Sequence, residues 1–329
     1  MATIRDVAEH AGVSVATVSR VLNDNGYVGV ETRKRVMDAI NSLNYSPNEV
    51  ARSLYKRESR LIGLLLPDIT NPFFPQLARG IEDEVNRAGF RLLLGNSDEE
   101  AMKELEYIQT FLQNQVVGII SATNNTDNEN YTNLDLPVVF LDRVSKQHPS
   151  VYADGIEGGR LAAKALVERG SKRITLIKGP GHVKPAMDRF QGALAELSAA
   201  EVDFSVLSTS SYAFDDARKR AEELFEKHSD TDGVIASNDI VAIAILHEAL
   251  RLGRRIPEDL QLIGYDDIPF SSLSYPSLST IRQPAYEMGR EAAKLLIRMI
   301  RKEKEIDQTI QLPVTLIERN TTRKVDPNA

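Results

Sequence analysis

The sequence predicts an α/β protein: a parallel α/β core led by a small all-α helix-turn-helix domain. Three observations carry that prediction. From Leu61 onward, short runs rich in Leu, Ile and Val alternate with amphipathic stretches of helical length, the pattern of strands joined by helical crossovers. Before residue 46, helix caps and helical periodicity recur with no strand-like run between them. The charge divides at the same place. Residues 1 to 60 hold nine Lys and Arg against seven Asp and Glu, whereas the whole chain stands at −7, so a basic head precedes an acidic body. The expected organisation is a head over 1–45, a hinge helix and linker over 46–60, and a core over 61–329.

In the head, Thr3 followed by Asp6 forms a capping-box variant and opens a helix with Ile4, Val7, Ala8 and Ala11 on its buried stripe. Gly12 stops it. Ser14 caps a second helix that turns Val18, Val21 and Leu22 inward and leaves Val15, Ala16, Thr17, Ser19 and Arg20 outward. A third helix, Glu31 to Asn44, closes the core with Val36, Ile40 and Leu43, and exposes Arg33, Lys34 and Arg35. Three amphipathic helices suit any small bundle. The small, hydroxyl-rich outer side of the second helix, however, suits entry into a DNA major groove.

Ser46-Pro47-Asn48-Glu49 combines an N-cap, a Pro at the first helical position and a Glu at the third, so a helix should open there. It can run only to Leu54 or Tyr55, shorter than the ~12–15 residues an isolated helix needs in water. Alone it should fray, and a plain linker is the other reading.

The core strands are expected at Leu61–Leu66, Phe90–Gly95, Val117–Ala122, Val138–Leu141, Ile174–Lys178, Gly233–Ala236 and Gln261–Tyr265. Helices are expected at Gln76–Ala88, Met102–Gln113, Glu157–Arg169, Asp215–His228, Ile240–Leu252 and Tyr286–Ile300. In open parallel sheets ligands bind beyond the carboxyl ends of the strands. Those positions hold "DITNPFFP", Asp142-Arg143, Ser237-Asn238-Asp239 and Asp266-Asp267. Aromatic rings cover the C–H faces of a sugar, and carboxylates, amides and guanidinium groups match its vicinal hydroxyls. Singly, Phe73 and Phe74 suit a core, and Asp142 or Asp266 a turn or cap; the sugar reading rests on four strand ends agreeing.

The run "TIRDVAEHAGVSVATVSRVLN", then "ETRKRV" and "NYSPNEVARSL", resembles the head of the lactose and galactose repressor family, and the resemblance extends over essentially the whole chain. It implies a homodimer on near-palindromic double-stranded operator DNA. Val15, Ala16 and Arg20 would read bases, while Thr3, Ser14, Thr17, Ser19, Asn23, Tyr45 and Asn48 would contact or position phosphates. The segment at Ser46 would order as a hinge helix in the minor groove, with Ala51 on it and Leu54 wedged between base pairs. Val15 and Ala16 are apolar where many relatives are polar, and Gly26 replaces an arginine of the purine branch. The resemblance also implies a two-lobed core like that of the periplasmic sugar-binding proteins, with one lobe over 61–158 plus 288–318 and the other over 159–287 plus the C-terminal tail. The strand-end residues are similar to the pentose pocket of the ribose-binding proteins: Asn71, Phe73, Phe74, Asp142, Arg143, Arg189, Phe214, Asn238, Asp266 and Gln283. The three phenylalanines would sandwich the ring, and ribose or a derivative would lower operator affinity. Free ribose, ribose 5-phosphate and another pentose all stay open as effector. So does a global catabolite regulator working with the serine-phosphorylated phosphocarrier protein HPr.

An enzyme is the first rival, yet the chain has no Walker P-loop, G-x-G-x-x-G or G-x-S-x-G. "KGPGH" at Lys178 to His182 reads as a turn. Without cysteine, and with five scattered histidines, no metal or cofactor site is expected. Neither a signal-like start nor an apolar run of ~18 residues is present, which sets the expectation of a cytoplasmic, nucleoid-associated protein and opposes a sugar carrier outside the cell.

Overall fold

The computed structural model describes residues 2–45, 59–126, 128–304 and 307–324, in two compact units, Met1–Ser59 and Arg60–Ala329. The helix expected from Ser46, with Asn48, Ala51 and Leu54, lies outside the described residues, as does the side chain of Asn23.

The first unit holds α1 (Ile4–Ala11), α2 (Val15–Asn23) and α3 (Val30–Ser42). The capping box is complete: Asp6 N–H donates to Thr3 Oγ1 at 3.3 Å and Thr3 N–H to the Asp6 carboxylate at 2.7 Å. Those bonds hold the Asp6 pKa below the usual carboxylate range. Gly12 takes φ 62°, the left-handed conformation that ends α1. The Ser14 hydroxyl caps α2 by accepting from Thr17 N–H at 3.2 Å. The core consists of Val7, Ala8, Ala11, Val18, Val21, Val36 and Ala39. Ile40 and Leu43 are half-buried and pack against that core, and Ala39 is buried within it.

The second unit holds two six-stranded sheets. The first sheet runs β11-β5-β4-β3-β1-β2, all parallel, from β1 (Leu61–Leu66), β2 (Arg91–Asn96), β3 (Ile119–Ser121), β4 (Val138–Leu141), β5 (Ser150–Ala153) and β11 (Thr309–Leu312). The second sheet runs β12-β10-β9-β8-β6-β7, from β6 (Arg173–Lys178), β7 (Asp203–Ser208), β8 (Gly233–Ile235), β9 (Gln261–Asp266), β10 (Ser279–Arg282) and β12 (Thr315–Ile317), with only β12 antiparallel. Between the strands lie α4 (Phe73–Arg87), α5 (Ala101–Gln113), α6 (Glu129–Thr132), α7 (Gly155–Glu168), α8 (Lys184–Ala199), α9 (Phe214–Lys227), α10 (Asp239–Arg251), α11 (Pro269–Leu273) and α12 (Ala285–Ile300). In each sheet the order reverses beside the first strand: β1 has β2 on one side and β3 on the other, and β6 has β7 and β8. Such switch points open a crevice at the carboxyl ends.

The chain passes between the sheets three times: at Asp154, at Gln283-Pro284 and between Leu312 and Thr315. These crossings move the expected lobe bounds. Residues 155–158 belong to α7, which packs on α8 and the second sheet, and β12 pairs with β10, so both fall in the second lobe. Residues 285–287 open α12, which packs against α4 and so falls in the first lobe. The longest element not anticipated is α8. Its buried face is Ala186, Arg189, Gly192, Ala193 and Leu197, too small and too polar to read as an apolar stripe. β7 was also missed, because an edge strand mostly exposed along its length lacks the run of buried apolar residues that marks the inner strands.

Candidate functional site

A cleft of about 350 Å³ opens where the carboxyl ends of the two sheets face each other. All the expected sugar-site residues line it except Gln283, which stands behind and donates from Nε2 to Asp266 Oδ1 at 2.8 Å.

On the first lobe, the turn after β1 is shaped by Asn71, whose side-chain oxygen accepts from Phe73 N–H at 3.1 Å. This starts α4 with Phe73 and Phe74 at its head, edge to face with centroids 5.3 Å apart. Both are buried in the core and also form a wall of the cleft. After β4, Asp142 adopts φ 61° and pairs with Arg143. Both are buried, and Arg143 Nε also donates to Asn124 at 2.7 Å.

On the second lobe, Asn238 caps α10, accepting from Val241 N–H at 2.9 Å. Arg189, carried by α8, lies 3.4 Å from Asp266, donates to the Ser237 carbonyl at 3.1 Å and stacks 3.9 Å over the Tyr265 ring. Asp266 ends β9 with φ 109° and Asp267 follows at 57°; Arg282 and Arg319 hold the Asp267 carboxylate at 2.7 and 2.6 Å. Asp98 and Glu99, also on the cleft, have positive φ as well. Left-handed backbone at non-glycine residues costs of order 1–3 kcal/mol each and clusters where a site needs a particular aim. Phe214, expected to close the ring sandwich, stands at the head of α9 and is 57 % exposed.

Next to the cleft, Asp239 is fully buried and accepts from Ile268 N–H at 2.9 Å and from the Ser271 and Thr280 hydroxyls at 2.6 Å. It pins α10 to α11 and β10. Burial pushes its pKa up to about 7 despite those bonds. Burial likewise holds Asp266 up at about 6, outweighing the pull of the Arg189 guanidinium and of Gln283. Only the ionised carboxylate accepts hydroxyl bonds on both oxygens. Affinity for a neutral polyol should therefore climb between about pH 5 and about pH 7 and then level off, as calorimetric titrations at several pH values would register. A flat profile would place the Asp266 ionisation elsewhere. For stability the sign is opposite: because both aspartates hold their protons longer folded than unfolded, their contribution is lost as pH rises from about 4 through their folded pKa values.

Several cleft residues were not anticipated: Asp98, Glu99, Ser211 and Tyr212. Asp98 and Glu99 follow β2, which was already expected, and Ser211 and Tyr212 follow β7, so the same rule reaches all four once β7 is recognised. Glu99 also bonds across the mouth of the cleft to His182 at 3.0 Å, which gives the "KGPGH" turn a place on the rim.

On the head, Val15, Ala16 and Arg20 are exposed along α2, and Thr17 and Ser19 are half-buried. Thr3 and Ser14 serve as caps. Tyr45 packs against the small core. Arg33 is held by Asp24 at 2.6 Å, while Lys34 and Arg35 are exposed.

A helix-turn-helix unit together with a two-lobed core around a polar cleft defines the class of ligand-controlled transcriptional regulators. Comparison with known proteins gives two family matches: residues 3–48 to bacterial regulatory proteins of the lacI family, and residues 163–322 to the periplasmic binding protein-like domain. The chain is 65% identical over 326 residues, 99% of its length and 100% of the relative's, to the ribose operon repressor of Bacillus subtilis (strain 168). A LacI family transcriptional regulator from Enterococcus faecium, solved with bound ribose, is similar at 33% identity and TM-score 0.72, over 80% of this chain and 98% of that one. The lac repressor dimer bound to operator and the anti-inducer ONPF is similar at 26% identity and TM-score 0.88, over 97% and 98%. The chain belongs to the lacI family of bacterial regulatory proteins.

Proposed function

We propose that the chain represses an operon for ribose uptake and use, holding a near-palindromic operator as a homodimer and releasing it when free ribose fills the cleft. The carrying observation is the convergence of Asn71, Phe73, Phe74, Asp142, Arg143, Arg189, Phe214, Asn238 and Asp266 on one cleft. Free sugar is favoured over a sugar phosphate by charge. Carboxylates at Asp68, Asp98, Glu99, Asp142 and Asp266 face the cleft, and its two arginines are already paired with Asp142 and Asp266. A phosphate dianion would meet repulsion from those carboxylates.

Sugar bridging the two lobes would favour one arrangement of the core, and linkage carries that preference to the operator. Within this reading Val15, Ala16 and Arg20 read bases, Thr3, Ser14, Thr17, Ser19, Asn23, Tyr45 and Asn48 position the backbone, and Ala51 and Leu54 belong to the minor-groove segment. An apolar groove of about 620 Å³ on the second lobe, with Phe270 and Leu273 exposed, suits the contact with a second copy. The protein binds its sugar without converting it. The test is anisotropy titration of a palindromic duplex against a random one, with and without ribose, arabinose, xylose and ribose 5-phosphate. Selective binding relieved by free ribose is expected. No preference for the palindrome, or relief only by the phosphate, would overturn the reading.

A further inference from the structure

Tyr212 follows β7 and lines the cleft. Its ring is half-buried, while its hydroxyl oxygen is sealed from solvent with no hydrogen-bond partner among the described residues. A buried polar group left unpaired costs about 1–3 kcal/mol, so a phenol kept here calls for a partner from outside the chain. The seat is built for it. A Cβ at Gly179, just beyond β6, would stand 2.4 Å from the Tyr212 hydroxyl, so the glycine leaves room for this oxygen. The same hydroxyl lies within electrostatic reach of Arg189 and Asp266 on its own lobe and of Arg143 and Asp142 on the other, at the point where the charged groups of the two lobes converge.

Those four groups are limited in kind: the guanidiniums only donate, and the ionised carboxylates only accept. A pentose hydroxyl both donates and accepts, and a phenol can answer it in either sense. Burial keeps the phenol neutral by pushing its pKa up to about 12. We infer that Tyr212 is a specificity-determining contact of the sugar site, exchanging a hydrogen bond with one pentose hydroxyl; this rests on the cleft being the pentose site. Its work is to make the cleft demand a hydroxyl at one position, since a site with a polar group left unpaired rejects the analogue that lacks its partner.

The experiment is calorimetry of the full chain and of Tyr212→Phe with D-ribose and its 2-deoxy, 3-deoxy and 5-deoxy analogues, alongside thermal melts without sugar. The variant should bind ribose roughly 10-fold more weakly. One deoxy sugar, the one lacking the partner hydroxyl, should bind both proteins alike. Without sugar the melting midpoint should be unchanged or higher, because the substitution removes an unpaired buried hydroxyl. Equal ribose affinity, the same loss for all the sugars, or a lowered midpoint would overturn the inference. Wild-type protein that takes no pentose would remove the pocket reading and this inference together; wild-type binding with an unaffected variant would remove this inference alone.

Discussion

Asp266→Asn should leave the core folded and lower ribose affinity by about 100-fold or more, leaving a repressor that sugar no longer releases. Asn keeps an oxygen for Gln283 Nε2 and for Arg189, the two partners of Asp266 Oδ1. It also tolerates the positive φ of this position better than most residues. What it loses is the charge: hydrogen bonds to an ionised group are worth about 1.5–3 kcal/mol each, and two of them amount to roughly 10²–10⁴ in affinity. Stability should hold or rise, because a carboxylate whose pKa burial lifts to about 6 is expensive to keep charged. Calorimetry with ribose and a melt of the sugar-free protein measure both halves. Binding within about threefold of wild type would mean that Asp266 does not face the sugar.

Gly159→Val should be the most damaging single substitution for folding of the second lobe. Its ideal Cβ would stand 1.9 Å from the Arg189 carbonyl and 2.8 Å from Ala193 N. On the facing helix, Gly192 is pressed against the Ile156 carbonyl in the same way, at 1.9 Å. α7 and α8 therefore touch backbone to backbone, and no side chain can yield to make room. A loss of about 4 kcal/mol or more is expected, at the upper end for point substitutions, with a fall in melting temperature on the order of 10 °C. Arg189 sits on the same face of α8, so ribose affinity should fall with stability. Gly181→Ala is the control, since a Cβ there meets nothing within 4 Å. A Gly159→Val protein melting like the control would show that the two helices can part without cost.

Much of the site was legible because it obeys a positional rule. Asn71, Asp142, Asn238 and Asp266 end or follow strands whose Leu, Ile and Val content announces them, so their place in a crevice follows from the strands. Arg189 and Phe214 were reached only through resemblance, because α8 has no apolar stripe and the turn before α9 follows an edge strand. Tyr212 was missed for the same reason as β7. In the head, the caps at Thr3 and Ser14 were readable from local chemistry, whereas how deeply Ala39, Ile40 and Leu43 are each buried depends on how the helices pack.

Local order along the chain was enough to settle the α/β class, the helix-turn-helix head, the caps and the identity of most residues at the strand ends, since each depends on neighbours a few positions away. Only the tertiary structure decided which lobe owns Gly155 to Gly158 and Thr315 to Ile317, that the two arginines of the cleft are already paired with carboxylates, and that the Tyr212 hydroxyl lies within electrostatic reach of charged groups from both lobes. Those outcomes hang on contacts between segments far apart in the chain, set by burial and crossing geometry that no local pattern encodes.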